Sequence, residues 1–129
     1  MTEAARIQAT VDAMTSAFAA HDVDGILATY EPDAVVVGES GVPTSGTLAL
    51  RGLFERFIAA DPKFTFLAHE VVEAGDIALH FNTWRMAGTA LDGSPFEDGG
   101  LSVAVLRRQA DGRWLMVIDD PYGDRLLKR

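Results

Sequence analysis

The chain has 129 residues and a formal charge of −8, with 48% hydrophobic residues, 23% charged residues and no cysteine. That length predicts one domain spanning 1–129 with a core that needs no covalent staples, and that composition excludes intrinsic disorder. The missing cysteines remove disulfides, thiol nucleophiles, iron–sulfur clusters and thiolate zinc sites, and the acidic balance repels a phosphate backbone, so no nucleic-acid partner is expected.

The N-terminus, Met1-Thr2-Glu3-Ala4-Ala5-Arg6, has neither the basic nor the apolar region of a secretory leader. No apolar run approaches the ~20 residues that span a bilayer. The expectation is a cytoplasmic protein with no membrane partner. Ile7, Val11, Met14 and Phe18 recur at helical spacing, with Thr2 as N-cap and Glu3 in the first turn. His21-Asp22 breaks this helix. Asp22 caps a second, short one carrying Ile26, Leu27 and Tyr30, which Pro32 is expected to stop. A short strand follows at 34–37, then a loop over 38–47 rich in glycine, serine and proline. Leu50, Leu53, Phe54, Phe57 and Ile58 form a third amphipathic helix that ends at Asp61-Pro62.

The remainder reads as four strands at about 63–73, 76–90, 97–109 and 113–120, two of the joints carrying Asp-Gly. This order predicts an α+β fold: three N-terminal helices packed on one face of a strongly curved antiparallel sheet. Such a sheet closed by helices leaves a cone able to hold a small ligand.

Three segments carry a resemblance. They are Phe18 through Val35, the two-helix entry to the first strand; Gly75-Asp76-Ile77-Ala78-Leu79; and the closing hairpin Val105 through Pro121 with its Asp-Gly-Arg-Trp and Ile-Asp-Asp-Pro. With the element order, they resemble the nuclear transport factor 2-like superfamily, the SnoaL-like or ketosteroid isomerase-like fold, and most of all its uncharacterised bacterial members. The resemblance implies a cone-shaped, cystatin-like domain. It spans isomerases, polyketide cyclases, epoxide hydrolases, transport factors and kinase association domains, so it fixes fold rather than activity. Anchored on Tyr30 and the Asp-Gly-Arg turn, the isomerase's base falls on Gly38, its tyrosine near Met14 and its acid on Ala104. All three groups are missing, with Glu39 one residue from the base position, so steroid isomerisation of the familiar kind is not expected.

The same anchor turns Val117, Asp119 and Pro121 into the cone. An aspartate facing an apolar cavity loses hydration and its pKa rises toward neutrality, the tuning a general acid or base needs. An Asp119 that bonds a loop N–H, or faces solvent beside Asp120, fits the same residues. His80, Asn82, Trp84 and Met86 alternate and share one face. They suit a pocket, with His80 as acid, base or donor, Asn82 orienting a carbonyl or hydroxyl, and Trp84 stacking. The pocket is the preferred reading; they also suit a dimer interface, since in relatives the outer sheet face pairs with a second subunit, and a bulge in the hairpin would reverse the parity. Tyr30 lines the cone in relatives and fits a core tyrosine with its hydroxyl at the rim as well; the anchor points Ser102 inward, where it reads as a ligand contact or a small filler; Phe18, Phe54, Phe57 and Met14 line the ligand or make plain core. An epoxide-hydrolase site would need Asp119, Arg85 and a second inward aspartate, which is not evident. No histidine pair has metal-ligand spacing, Asp119, Asp120 and Asp124 read as a solvated tail, and no phosphate-binding or nucleophile-elbow motif occurs, so neither metal nor cofactor is expected. The basic pairs Arg107-Arg108 and Lys128-Arg129 read as solvated surface.

The residues thus point to a protein, homodimeric through its sheet, that binds a small, mainly apolar molecule bearing a carbonyl or hydroxyl. Asp119 and His80 are its candidate catalytic groups for cofactor-free isomerase, cyclase or hydrolase chemistry. A non-enzymatic ligand carrier or homodimeric association module is the competing class.

Overall fold

A computed structural model describes residues 1–127; the Lys128-Arg129 pair lies outside them. Helix α1 (Glu3–Ala19) starts where the Thr2 hydroxyl accepts from Ala5 N–H at 3.1 Å, and α2 (Val23–Leu27) where the Asp22 carboxylate accepts from Gly25 N–H at 3.0 Å. Both caps satisfy amides that the helix itself leaves unpaired. The break between them falls on His21, which adopts φ 57°, and Asp61, just beyond α3 (Thr47–Ala59) and its C-cap Ala60, has φ 45°. The two left-handed residues are joined, His21 Nε2 to Asp61 Oδ1, at 3.0 Å.

Strand β1 (Tyr30–Val37) begins earlier than the sequence suggests. Pro32 does not stop a helix; it sits inside the strand, in the stretch between Tyr30 and Val35 where the pairing register shifts. Proline is tolerated there because an irregular stretch asks for no N–H. The loop expected over 38–47 contains a three-residue edge strand, β2 (Pro43–Ser45), hairpinned to β1. Strands β3 (Lys63–Ala74), β4 (Ile77–Thr89), β5 (Pro95–Arg108) and β6 (Trp114–Asp120) follow close to the expected boundaries. At the Asp-Gly turns, Gly93 and Gly112 take φ 85° and 87°, a region closed to most side chains.

The six strands form one sheet in the order β2-β1-β6-β5-β4-β3. It is mixed rather than wholly antiparallel, because β1 and β6 pair in parallel. That pairing joins the first long strand to the last and so escapes hairpin logic. Two bulges bend the sheet. Leu67 is extra between Phe66, opposite Trp84, and Ala68, opposite Thr83; Val117 is extra between Met116 and Ile118. Gly99 lets β5 hug β4: a Cβ there would lie 2.9 Å from the Trp84 carbonyl oxygen. Bulges and a glycine at a close approach are how a twisted sheet gains curvature.

The concave face meets the helices. Ile7, Ile26, Leu50, Phe54, Ala78, Leu106, Trp114 and Met116 make the core between them. Trp114 anchors α1: its indole N–H donates to Glu3 at 2.7 Å, and its carbonyl accepts from the Thr10 hydroxyl at 2.7 Å.

Candidate functional site

The helices do not fill the wide end of the cone. A cavity of about 210 Å³ remains, walled by α1, α3 and the concave sheet. Its walls are chiefly aromatic. Phe18 of α1 packs edge-on against Phe54 and Phe57 of α3, with ring centroids 5.6 and 5.5 Å apart. Phe64 meets Trp84 edge-on at 6.1 Å. Such edge-to-face sets hold a cavity open because each ring is braced by the next. Trp84 is doubly fixed: its indole N–H donates to the Pro121 carbonyl at 2.7 Å, and Tyr122 packs edge-on at 5.4 Å.

Asp119 enters this wall from β6. The extra residue at Val117 shifts the alternation, so Met116 and Asp119 both face inward, and Val117 does not share their face as the sequence suggests. Asp119 stands opposite Ala104 on one side and Val36 on the other, small neighbours that give it room. It is 6% exposed and the one carboxylate buried among the described residues. The Tyr30 hydroxyl donates to Asp119 Oδ2 at 2.6 Å. Burial pushes the carboxyl from its ordinary 3.8 up to about 6; the Tyr30 hydrogen bond works against that rise and the neighbouring Asp120 with it. Burial, then Asp119, drive the Tyr30 hydroxyl well above its ordinary 10.0, so it stays a donor. Asp120 turns away to Arg125, which reaches its two carboxylate oxygens at 3.0 and 3.1 Å, and Asp124 accepts from Leu101 N–H at 3.3 Å.

Strand β4 pairs with β5 without a register shift from Ile77 to Thr89. The open question of parity is thereby answered: His80, Asn82, Trp84 and Met86 are buried on the concave side, and Arg85 is exposed on the other. Arg85 therefore cannot join Asp119 as an epoxide-hydrolase site would require. Asn82 and Trp84 line the cavity, as do Ser102, Tyr30, Phe18, Phe57, Met14 and Asp119. His80 does not. It is 1% exposed, covered by α1. Its Nε2 sits 2.7 Å from Gln8 Oε1, and Gln8 Nε2 donates to Asp12 at 2.9 Å. Because a carboxylate only accepts, that chain fixes the Gln8 amide and makes His80 the Nε2–H tautomer. His80 stacks on His69 with centroids 6.1 Å apart. Burial, then the His69 charge, lowers its pKa below 6.5, keeping the ring neutral. The sequence offered His80 as a candidate catalytic group; its hydrogen bond to Gln8 and the cover of α1 leave it outside the cavity lining.

Phe64, Phe66, Leu53, Thr15 and Tyr122 also line the cavity. The alternation Phe64-Thr65-Phe66 could have signalled the first two. Glu39, Tyr122 and nearby Asp98 stand at its mouth, and burial with those two carboxylates pushes the Tyr122 hydroxyl up to about 12.

A concave mixed sheet, three helices and a pocket between them define a cystatin-like α+β domain. The family model described as a SnoaL-like domain matches residues 11–117, and the chain belongs to that family. Among solved structures, an uncharacterized protein with a cystatin-like fold from Caulobacter vibrioides is similar, with a TM-score of 0.80 at 18% identity, covering 98% of each chain. A ketosteroid isomerase-like protein from Erwinia carotovora atroseptica reaches 0.77 at 23%, covering 90% of this chain and 92% of that one. Aln2 from a Streptomyces species reaches 0.78 at 18%, covering 97% and 93%. At these identities the likeness is one of fold. No curated protein matches the chain. Among the described residues no helix is long and apolar enough to cross a membrane.

Proposed function

We propose that the cavity binds a small, mainly apolar molecule bearing a carbonyl or hydroxyl, and that Asp119 performs cofactor-free acid–base chemistry on it. The observation that carries this reading is a single buried carboxyl, tuned to about 6, in a wall of aromatic rings. Near neutrality such a group exchanges protons readily in either direction. Tyr30 holds Oδ2, leaving Oδ1 as the oxygen a ligand meets. The matching reaction class is proton transfer at a carbon beside a carbonyl, as in isomerisation, cyclisation or dehydration. The likeness to a ketosteroid isomerase-like protein supports the class; the absence of a carboxylate at Gly38 and Ala104 argues for a different arrangement of base and donors from the steroid enzyme.

One observation favours a second reading. His80 is paired with Gln8 and does not line the cavity, so it brings no second titratable group from β4 to the ligand. A ligand carrier would have this simplicity. Proton–deuterium exchange at the α-carbon of 2-tetralone in deuterated buffer separates the two. Exchange accelerated by the protein and lost in Asp119→Asn supports the enzyme; binding without exchange supports the carrier.

We also propose that two copies pair through the convex sheet face. There Leu79, Phe81, Val103 and Val105 are half-buried, and Val72, Ile77 and Ile118 are exposed, an apolar surface of the kind that marks an interaction site. Sedimentation of wild type against Phe81→Glu tests this, with a dimer dissociating to monomers as the expected result. The working location we propose is the cytoplasm, with no nucleic-acid partner, given the charge of −8.

A further inference from the structure

Asn82 is the one buried polar side chain left unsatisfied: its Oδ1 is buried and has no hydrogen-bond partner among the described residues. The residue itself is 7% exposed. Native proteins seldom leave a buried amide oxygen unpaired, because its lost hydration is not returned. Such an atom in a cavity wall is explained by a partner that arrives with the ligand.

The position of Asn82 says where that partner goes. Together with Thr15 and Phe66 it lines both the aromatic cavity and a second cleft of about 240 Å³. The cleft lies between α1 and β3 and is otherwise lined by Gln8, Asp12, His69 and a few apolar groups. The Leu67 bulge creates it. Before the bulge Phe66 faces inward; after it His69 does, opposite Asn82. An apolar wall thus gives way to a polar one within three residues. Asn82 faces Ser102 across the sheet and Asp119 faces Ala104, two residues along β5. The two polar groups are therefore two strands and two residues apart, roughly 12 Å between backbones at ~4.8 Å per strand and ~3.3 Å per residue. No single functional group serves both, whereas a molecule of two fused rings spans them.

We infer that Asn82 is the entrance to a polar subsite, in which the cleft bounded by Gln8, Asp12 and His69 receives a hydroxyl or N–H donor at the ligand's far end. This rests on the reading that the aromatic cavity holds the ligand body with its carbonyl at Asp119. It adds the substrate class: a bifunctional molecule, carbonyl at one end and donor at the other.

The test uses 2-tetralone, its four ring-hydroxylated isomers and their methyl ethers, with affinities measured by titration calorimetry on wild type, Asn82→Leu and Asn82→Ala. A methyl ether keeps the oxygen and removes the donor. The expected result is one hydroxy isomer that binds wild type about tenfold or more tightly than both its ether and the parent ketone, a typical loss when one buried partner goes unpaired. Both variants should bring that preference to near one. Leucine matches asparagine in size and alanine leaves space, so a packing fault in one does not imitate the result in the other. The inference is overturned if the ketones bind but no hydroxy isomer is preferred, or if either variant keeps the preference. If none of the compounds binds wild type, the reading of the cavity itself fails, a distinct outcome.

Discussion

Asp119→Asn replaces the buried carboxyl with an amide of the same shape that still accepts the Tyr30 hydroxyl. The stability difference from wild type then isolates the titration of one group. In the folded chain Asp119 holds its proton up to about pH 6, against an ordinary 3.8. Between those values the folded state binds more protons than the unfolded state. Raising the pH therefore lowers the stability of wild type, starting near 3.8 and finishing above about 6. The gap corresponds to about 3 kcal/mol, at about 1.4 kcal/mol per pH unit. Asparagine escapes this loss. The variant should match wild type near pH 4 and exceed it by about 3 kcal/mol near pH 8, some ~10 °C in Tm for a domain of this size. Urea denaturation of both proteins at several pH values, analysed as a difference, cancels every other titrating group. Parallel curves from about pH 4 to about pH 8 would refute the argument, since they require an Asp119 as well hydrated in the folded chain as in the unfolded one.

Tyr30→Phe removes the one hydrogen bond that favours the ionised carboxyl, so the Asp119 midpoint should move above about 6, as followed by carboxyl carbon chemical shifts. His80→Gln should leave 2-tetralone affinity within about twofold, because His80 lies outside the cavity wall. The neutral, buried His80 resists protonation, so the unfolded chain takes the proton first as pH falls through 6.5. Wild type should consequently lose more stability than His80→Gln on acidification from about pH 7.5 to about pH 5.5, measured by Tm. Trp114→Ala empties a site only 2% exposed and releases Glu3; a loss of about 3–5 kcal/mol in urea denaturation is expected.

Legibility in the sequence followed the range of the forces involved. Thr2 and Asp22 announce their helices because a cap is a contact between residues three apart, and the Asp-Gly turns announce theirs for the same reason. Helical spacing groups Met14 with Phe18 and Phe54 with Phe57, and alternation groups Asn82 with Trp84, because those periods survive in the primary pattern; the inward placing of Tyr30, Ser102 and Asp119 rests on the family resemblance. What stayed hidden depended on partners distant in sequence. The parallel β1–β6 pairing has no local signature, and neither do the bulges at Leu67 and Val117, where one added residue reverses which face is inward. His80 shares its face with Asn82 and Trp84, as alternation requires. Its separation from Asp119 is lateral: both stand opposite Ala104, with β5 between them, and Gln8 of α1 holds the imidazole, a pairing that periodicity does not encode. The edge strand Pro43–Ser45 was concealed by residues that favour turns and yield to pairing with β1.

The hydrogen bond from Tyr30 to Asp119 joins residues 89 positions apart, and it exists only where the first long strand lies beside the last. The hairpins linking β3, β4, β5 and β6 are local and can close quickly, whereas bringing β1 to β6 must await loop closure over most of the chain. During synthesis, then, the apolar lining is made long before the group that gives it chemistry, and a nascent chain that stops short of β6 has neither the partner for β1 nor the carboxyl. The order of assembly makes the reactive corner of the pocket the last part to exist, and a late-forming seam is where partial unfolding would begin. Hydrogen exchange should find the β1–β6 amides opening before those of the β4–β5 hairpin, with the loss of acid–base character preceding the loss of the fold.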